Sequence, residues 1–121
     1  MICDIYDNVL EEHIAQLIDM EMKEISWTYD YRSHNAGINK HWHRLCGHEE
    51  IEPEYNFLLP IWETAKKRYD FENKYKVSRF LRVYVNAHTH GIEPHLHHDD
   101  GDFTMIYYPR LDWKPEWMGG T

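Results

Sequence analysis

The segment from Ser78 to Pro109 constrains the fold most, because it reads as three strands separated by two polar turns. Ser78 to Thr89 is the clearest of the three. Leu81, Val83, Val85 and Ala87 fall on one face, and Phe80, Arg82, Tyr84, Asn86 and His88 on the other. Residues 94–99 and 103–109 read as the next two strands, on either side of the acidic turn Asp99 to Asp102. The apolar face of the first strand needs a core to cover it. Its second face carries polar and aromatic groups, as expected for the lining of a site.

The preceding half alternates between helix and strand. Residues 2–8 read as a short strand that enters a turn, and Asn8 followed by Glu11 fits a capping box. From Val9 to about Glu24, Leu10, Ile14, Leu17, Ile18, Met22 and Ile25 recur at helical spacing. The period then changes: Ile25, Trp27, Tyr29 and Tyr31 alternate with polar residues, which predicts a half-buried strand. Residues 33–52 are polar and read as a long excursion of the kind that serves as a lid. A second helix is expected over Glu54 to Tyr69; Pro60 either opens a helix that begins near Leu59 or kinks a longer one. Arg110 to Trp117 reads as a loop. No repeat or linker divides residues 1–121, so the expectation is one domain of α+β class, with helices packed on one side of an antiparallel sheet.

Bulk properties narrow the function. A 42% hydrophobic, 15% aromatic chain of 121 residues folds into a globule. A formal charge of −8 argues against nucleic acid or an anionic membrane as partner. No apolar run is long enough to span a bilayer. Cys3 and Cys46 do not make a disulfide framework, which points to a reducing, cytoplasmic location. The outlier is histidine: ten residues, five of them between His88 and His98.

That cluster contains His-x-Asp pairs. Residues i and i+2 of a strand share a face, about 7 Å apart along the chain, so an imidazole and a carboxylate so placed can reach one cation. The pair is either His97 with Asp99 or His98 with Asp100, on opposite faces of the strand. Imidazole and carboxylate suit Fe(II), and a 2-His-1-carboxylate set leaves positions open for reactants. His95 and Asp99 stand about 13 Å apart on a strand, so a third ligand must come from elsewhere in the fold. Two other constellations are weaker. His41, His43, Cys46 and His48 are zinc-type ligands crowded into one polar stretch without a second cluster. Asp99, Asp100 and Asp102 hint at a Ca²⁺ loop, but Arg110 stands at the twelfth position where a glutamate is needed.

Beyond residue chemistry there is a resemblance. The stretch RVYVNAHTHGIEPHLHHDDGDFTMIYYPRLDWKPEWMGGT resembles the core of the 2-oxoglutarate/Fe(II)-dependent oxygenases of the prolyl-4-hydroxylase type, a group that includes hypoxia-sensing prolyl hydroxylases and many similar phage proteins. The shared order is Tyr84 on a strand, His97-His98-Asp99, Thr104 to Tyr108, Trp113, and the Gly119-Gly120 step. IYDNVLEEHIAQLIDMEM resembles the family's opening strand and helix more loosely.

The resemblance implies a double-stranded β-helix (jelly-roll), with N-terminal helices packed on its first part. It resolves the register to His97 and Asp99 as metal ligands. Tyr84 and Tyr108 would contact the 2-oxoglutarate, with Asn86 and Arg82 as further lining. It implies Fe(II), 2-oxoglutarate and O2, with ascorbate as reductant, and a peptide or small-molecule substrate. The family's second ligating His, and the Arg or Lys that pairs with 2-oxoglutarate, lie beyond the Gly-Gly step and have no counterpart before Thr121. The jelly-roll is therefore expected to be incomplete in this chain, a second chain is a candidate source of the missing half, and little turnover is expected from these residues alone. The competing expectation is a non-catalytic divalent-metal or interaction module built on the His88–His98 cluster.

Overall fold

The computed structural model describes residues 3–32, 40–77, 79–92 and 97–117. Helix α1 spans Glu12–Glu24 and carries the helical stripe read from the sequence except at Leu17, which is 48% exposed. Ile18 is 1% exposed, and Leu10, Ile14, Met22 and Ile25 pack around it. The helix begins later than the capping box predicts. Asn8 is held in the left-handed region at φ 52, and Glu11 is an extended N-cap that makes no side-chain cap. The Asn8 and Val9 carbonyls instead accept from the Arg68 guanidinium at 2.7 and 3.2 Å. That tie fixes the entry turn outside the helix.

Strand β1 is Thr28–Tyr31, shorter than the predicted strand and exposed at all four residues. The buried contribution of that stretch comes from Ile25 and Trp27, which precede the ladder. The largest correction follows. The predicted excursion of residues 33–52 contains β2, His41–His48, the strand to which all the others pair, and β3, Glu50–Ile51; residues 33–39 lie outside those described. Strand β4, Arg82–Ala87, runs antiparallel along one edge of β2, with His43 opposite Asn86, Arg44 opposite Val85 and Leu45 opposite Tyr84. A bulge then shifts the register to Gly47 opposite Val83. On the other edge, β1 pairs at His41 and His43, and β3 at Gly47 and His48.

A 3₁₀ segment, Pro53–Leu58, leads into α2, Leu59–Arg68, with Pro60 in the first turn. Of the two predicted roles for Pro60, helix opening is the one observed, because an N-terminal position has no intrahelical partner for the missing N–H. A short helix α3, Phe71–Tyr75, was not anticipated; left-handed residues Asp70 and Lys76 bound it. Tyr6 stacks on Tyr69 at 4.0 Å, and residues 3–8 form no strand, which corrects that expectation.

The helices cover one sheet face. Ile18, Cys46, Tyr55, Leu58 and Ile61 are the buried centre, with Val83 and Val85 of β4 applied to it. The face assignment of β4 therefore holds from Arg82 onward. Phe80 is the exception: it precedes the strand and meets Trp62 of α2 at 6.3 Å. Ser78 lies outside the described residues.

The expected strands 94–99 and 103–109 are not in a ladder: residues 97–99 and 103–109 are not strand, and residues 94–96 lie outside those described. The period-two signal was still physical. Phe103, Met105, Tyr107 and Pro109 are half-buried, while Thr104, Ile106 and Tyr108 are exposed. Met105 and Tyr107 press on the core, and Arg110 approaches Asp19 of α1 at 3.8 Å. The segment thus alternates because it lies on a core. Alternation reports a half-buried extended chain and not hydrogen-bond pairing. Residues 115–117 form a 3₁₀ turn in the predicted loop. Helices on one face of a single antiparallel sheet make the described architecture α+β.

Burial also decides thiol chemistry. Cys46 is fully buried and Cys3 exposed, and desolvation pushes the Cys46 thiol up to about 11. The thiolate is the nucleophile. An alkylating reagent at neutral pH is therefore expected to modify Cys3 alone in the folded chain and both thiols in denaturant. Equal rates for both without denaturant would contradict this core.

Candidate functional site

The sheet face turned away from the helices is built by β2 and β4 together. Because His43 sits opposite Asn86 and Leu45 opposite Tyr84, the alternation of both strands collects His41, His43 and Leu45 beside Tyr84 and Asn86. His43 Nδ1 and Asn86 Oδ1 are 2.8 Å apart, which makes that nitrogen the donor. Tyr31 of β1 stacks on His43 at 3.8 Å and 8°. Tyr84 lies 5.3 Å from the same imidazole. At the end of the face, His88 meets the ring of His41 edge-on at 4.8 Å.

The sequence-predicted pair comes to this face. His97 Nε2 and Asp99 Oδ1 are 3.3 Å apart. The negative charge of Asp99 reaches Tyr84: burial first, and then that charge, raise the phenol above its ordinary value. Tyr84 therefore stays protonated at neutral pH and can donate a hydrogen bond. Arg82 donates to Asp100 at 3.2 Å, so Asp100 has a cationic partner on β4. Tyr108 is placed differently. It is 59% exposed on the outward side of its segment, and no described hydrogen bond or ring contact ties it to Tyr84. His95 and Gly119-Gly120 lie outside the described residues.

His41 is the group that sequence reasoning placed poorly. It is 4% exposed, and its Nε2 has no hydrogen-bond partner. Burial lowers its pKa first, and the neighbouring imidazoles His88 and His43 lower it further, while the Asn86 side chain partly opposes the shift. Burial lowers His88 as well. Both imidazoles are neutral in the fold, while the unfolded chain takes up their protons near pH 6.5. Stability is therefore unaffected above that pH and falls as acid takes the unfolded state through it. Denaturant midpoints measured from pH 7.5 down to 5 are expected to decline below about 6.5, with a shallower decline in His41→Gln. A midpoint that rises on acidification would refute the arrangement.

The zinc-type set of His41, His43, Cys46 and His48 does not come together. His41 and His43 face the site, while Cys46 is sealed in the core on the opposite side. Among the described residues, no three histidine, cysteine, aspartate or glutamate side chains already surround one point. The donor types of the pair nevertheless fit a first-row divalent ion: imidazole from His97 and carboxylate from Asp99. A cavity of about 660 Å³ between the start of α1 and α2, lined by Asn8, His13, Pro60 and Arg68 among others, shares no residue with this face. No helix among the described residues is long and apolar enough to cross a membrane.

The histidines of β2 carried a signal. His41, His43 and Leu45 alternate with Trp42, Arg44 and Cys46, a strand period hidden because polar and apolar residues fall on both faces. Comparison adds no name to this geometry: no protein-family model, no curated protein and no solved structure matches the chain.

Proposed function

We propose that this chain carries the metal-binding face of an Fe(II)- and 2-oxoglutarate-dependent dioxygenase of the prolyl-hydroxylase type. One observation carries the reading, the 3.3 Å between His97 Nε2 and Asp99 Oδ1. Two ligand bonds of about 2.1 Å at right angles put their donor atoms about 3 Å apart, so the pair has the separation of adjacent ligands on an octahedral ion. The nearby phenol supports it, since Tyr84 stays protonated and can donate to a carboxylate of 2-oxoglutarate. His97 and Asp99 would hold the iron. Tyr108 would reach the cosubstrate only after its exposed side chain turns inward. Bound iron supplies O2 activation, coupled to conversion of 2-oxoglutarate to succinate and CO2 while a substrate C–H becomes C–OH, with ascorbate keeping the metal reduced. In this reading the four-stranded sheet is the first part of a double-stranded β-helix. The substrate, a peptide or small molecule, would enter over Tyr31, His43 and Asn86.

A second reading takes its support from the His41–His88 contact at 4.8 Å: a divalent-metal module without redox chemistry. Anaerobic titration separates the two. Fe(II) with 2-oxoglutarate is expected to give a visible charge-transfer band with the wild-type chain and none with Asp99→Ala. The affinity loss in Asp99→Ala should reach at least the roughly 10–100-fold that even a ligand's outer partner commands. Metal binding indifferent to 2-oxoglutarate, with no band, would leave only the second reading.

A further inference from the structure

We infer that residues 103–109 form a pairing edge for a second copy of this chain, joined antiparallel about a two-fold axis at Ile106. The inference goes beyond the proposed metal site and uses neither His97 nor Asp99. It starts from main chain that the fold leaves without partners. From Phe103 to Pro109 the chain lies extended on the core, yet among the described residues no main-chain hydrogen bond ties it to a neighbour. Phe103, Met105 and Tyr107 are half-buried, while Thr104, Ile106 and Tyr108 are exposed, Ile106 by 59%. No charge and no glycine interrupts Phe-Thr-Met-Ile-Tyr-Tyr-Pro. Edges of such composition are normally blunted by charge or covered, because an open apolar edge is a template for another strand. The exposed Leu111 extends the same apolar surface.

The charges at its ends select a second copy as the occupant. Asp102 precedes the segment, and Arg110 and Lys114 follow it. Among the described residues neither Asp102 nor Lys114 has an ionic partner. Arg110 reaches Asp112 through Nε and Nη2 and approaches Asp19 through Nε, which leaves Nη1 unused. Antiparallel self-pairing brings the acidic end of each copy to the basic end of the other, whereas parallel pairing would set like charges side by side. With Ile106 opposite the partner's Ile106, Thr104 meets the partner's Tyr108 and Asp102 meets the partner's Arg110, all on the exposed face. Pro109 sets the phase of this ladder. Antiparallel pairs alternate between hydrogen-bonded and non-bonded, so a bonded pair at Ile106 puts Pro109 opposite the partner's Phe103 in a non-bonded pair. There the missing N–H points away from the partner and no ladder bond is lost. A two-fold contact of this kind closes at two copies.

Sedimentation of the 121-residue chain over a range of concentrations is expected to show a dimer of the 14.8 kDa protein. Ile106→Lys sets two ammonium groups against each other at the axis and is expected to weaken dimerisation at least about 10-fold. Its circular dichroism should match wild type, because the side chain is exposed. Leu17→Lys, on the exposed side of α1, is expected to leave the dimer intact. Disulfide trapping in a Cys3→Ser background reads the register without adding charge. Hydrogen-bonded pairs hold their Cα atoms about 5.5 Å apart, within disulfide reach. Ile106→Cys is therefore expected to give a covalent dimer, and Leu111→Cys, far from the axis, is not. A wild-type chain that stays monomeric up to about 1 mM overturns the inference. So does a dimer that Ile106→Lys leaves intact or Leu17→Lys dissolves, and so does equal trapping at positions 106 and 111.

Discussion

Gly47→Ala is expected to lower stability by about 3 kcal/mol, at the upper end of the usual cost of overpacking. Gly47 is buried in β2 at the bulge, where β3 folds back and β4 changes register. A Cβ there would collide with the Glu50 carbonyl oxygen and stand 2.8 Å from Ile51 Cα. Both obstacles are main chain, so no side-chain rotation makes room. Relief would require β3 to lift, which would break the bond from the Glu52 amide to the Cys46 carbonyl at 2.9 Å. Gly91 supplies the contrast. It has φ +83 with open space around its Cβ position, so alanine there meets only left-handed strain of about 1–2 kcal/mol. Urea midpoints at constant slope measure both. Equal losses at the two positions would show that the β2–β3 reversal is not as tight as described.

Ile18→Ala is expected to cost about 2–5 kcal/mol, the range for a buried aliphatic truncated in a core that relaxes only partly. Ile18 is 1% exposed and lies where α1, the 3₁₀ segment, α2 and β2 meet through Cys46, Tyr55, Leu58 and Ile61. Domains of this size hold roughly 5–15 kcal/mol in all, so this one change removes a large share. The adjacent Leu17 is 48% exposed on the same helix, and Leu17→Ala should fall within about 1 kcal/mol of wild type. A comparable loss at Leu17 would mean that the wrong stripe of α1 faces the core. Differential scanning calorimetry on the pair decides it.

These contrasts show what sequence can and cannot reach. Ile14, Ile18 and Met22 repeat at the helical period because a helix turns one stripe to the core, so α1 was legible to within its first turn. The faces of β4 were legible for the same reason, with Val83 and Val85 inward and Tyr84 and Asn86 outward. The stretch that became β2 was not. Its outward positions are histidines, and the main-chain bonds to β1, β3 and β4 that hold it come from partners distant in the chain. The segment at 103–109 failed in the opposite direction: the alternation was present and the ladder was not.

By itself the sequence determined an α+β chain, because periodicity is a local property; its residue chemistry offered two His-x-Asp pairs, and the family resemblance favoured His97 with Asp99. The tertiary structure decided which groups surround that pair. It made a histidine-rich stretch the central strand and placed His43 on Asn86. It also left the His41 Nε2 nitrogen buried against His88 and without a hydrogen-bond partner, because strand pairing between distant segments sets which faces meet.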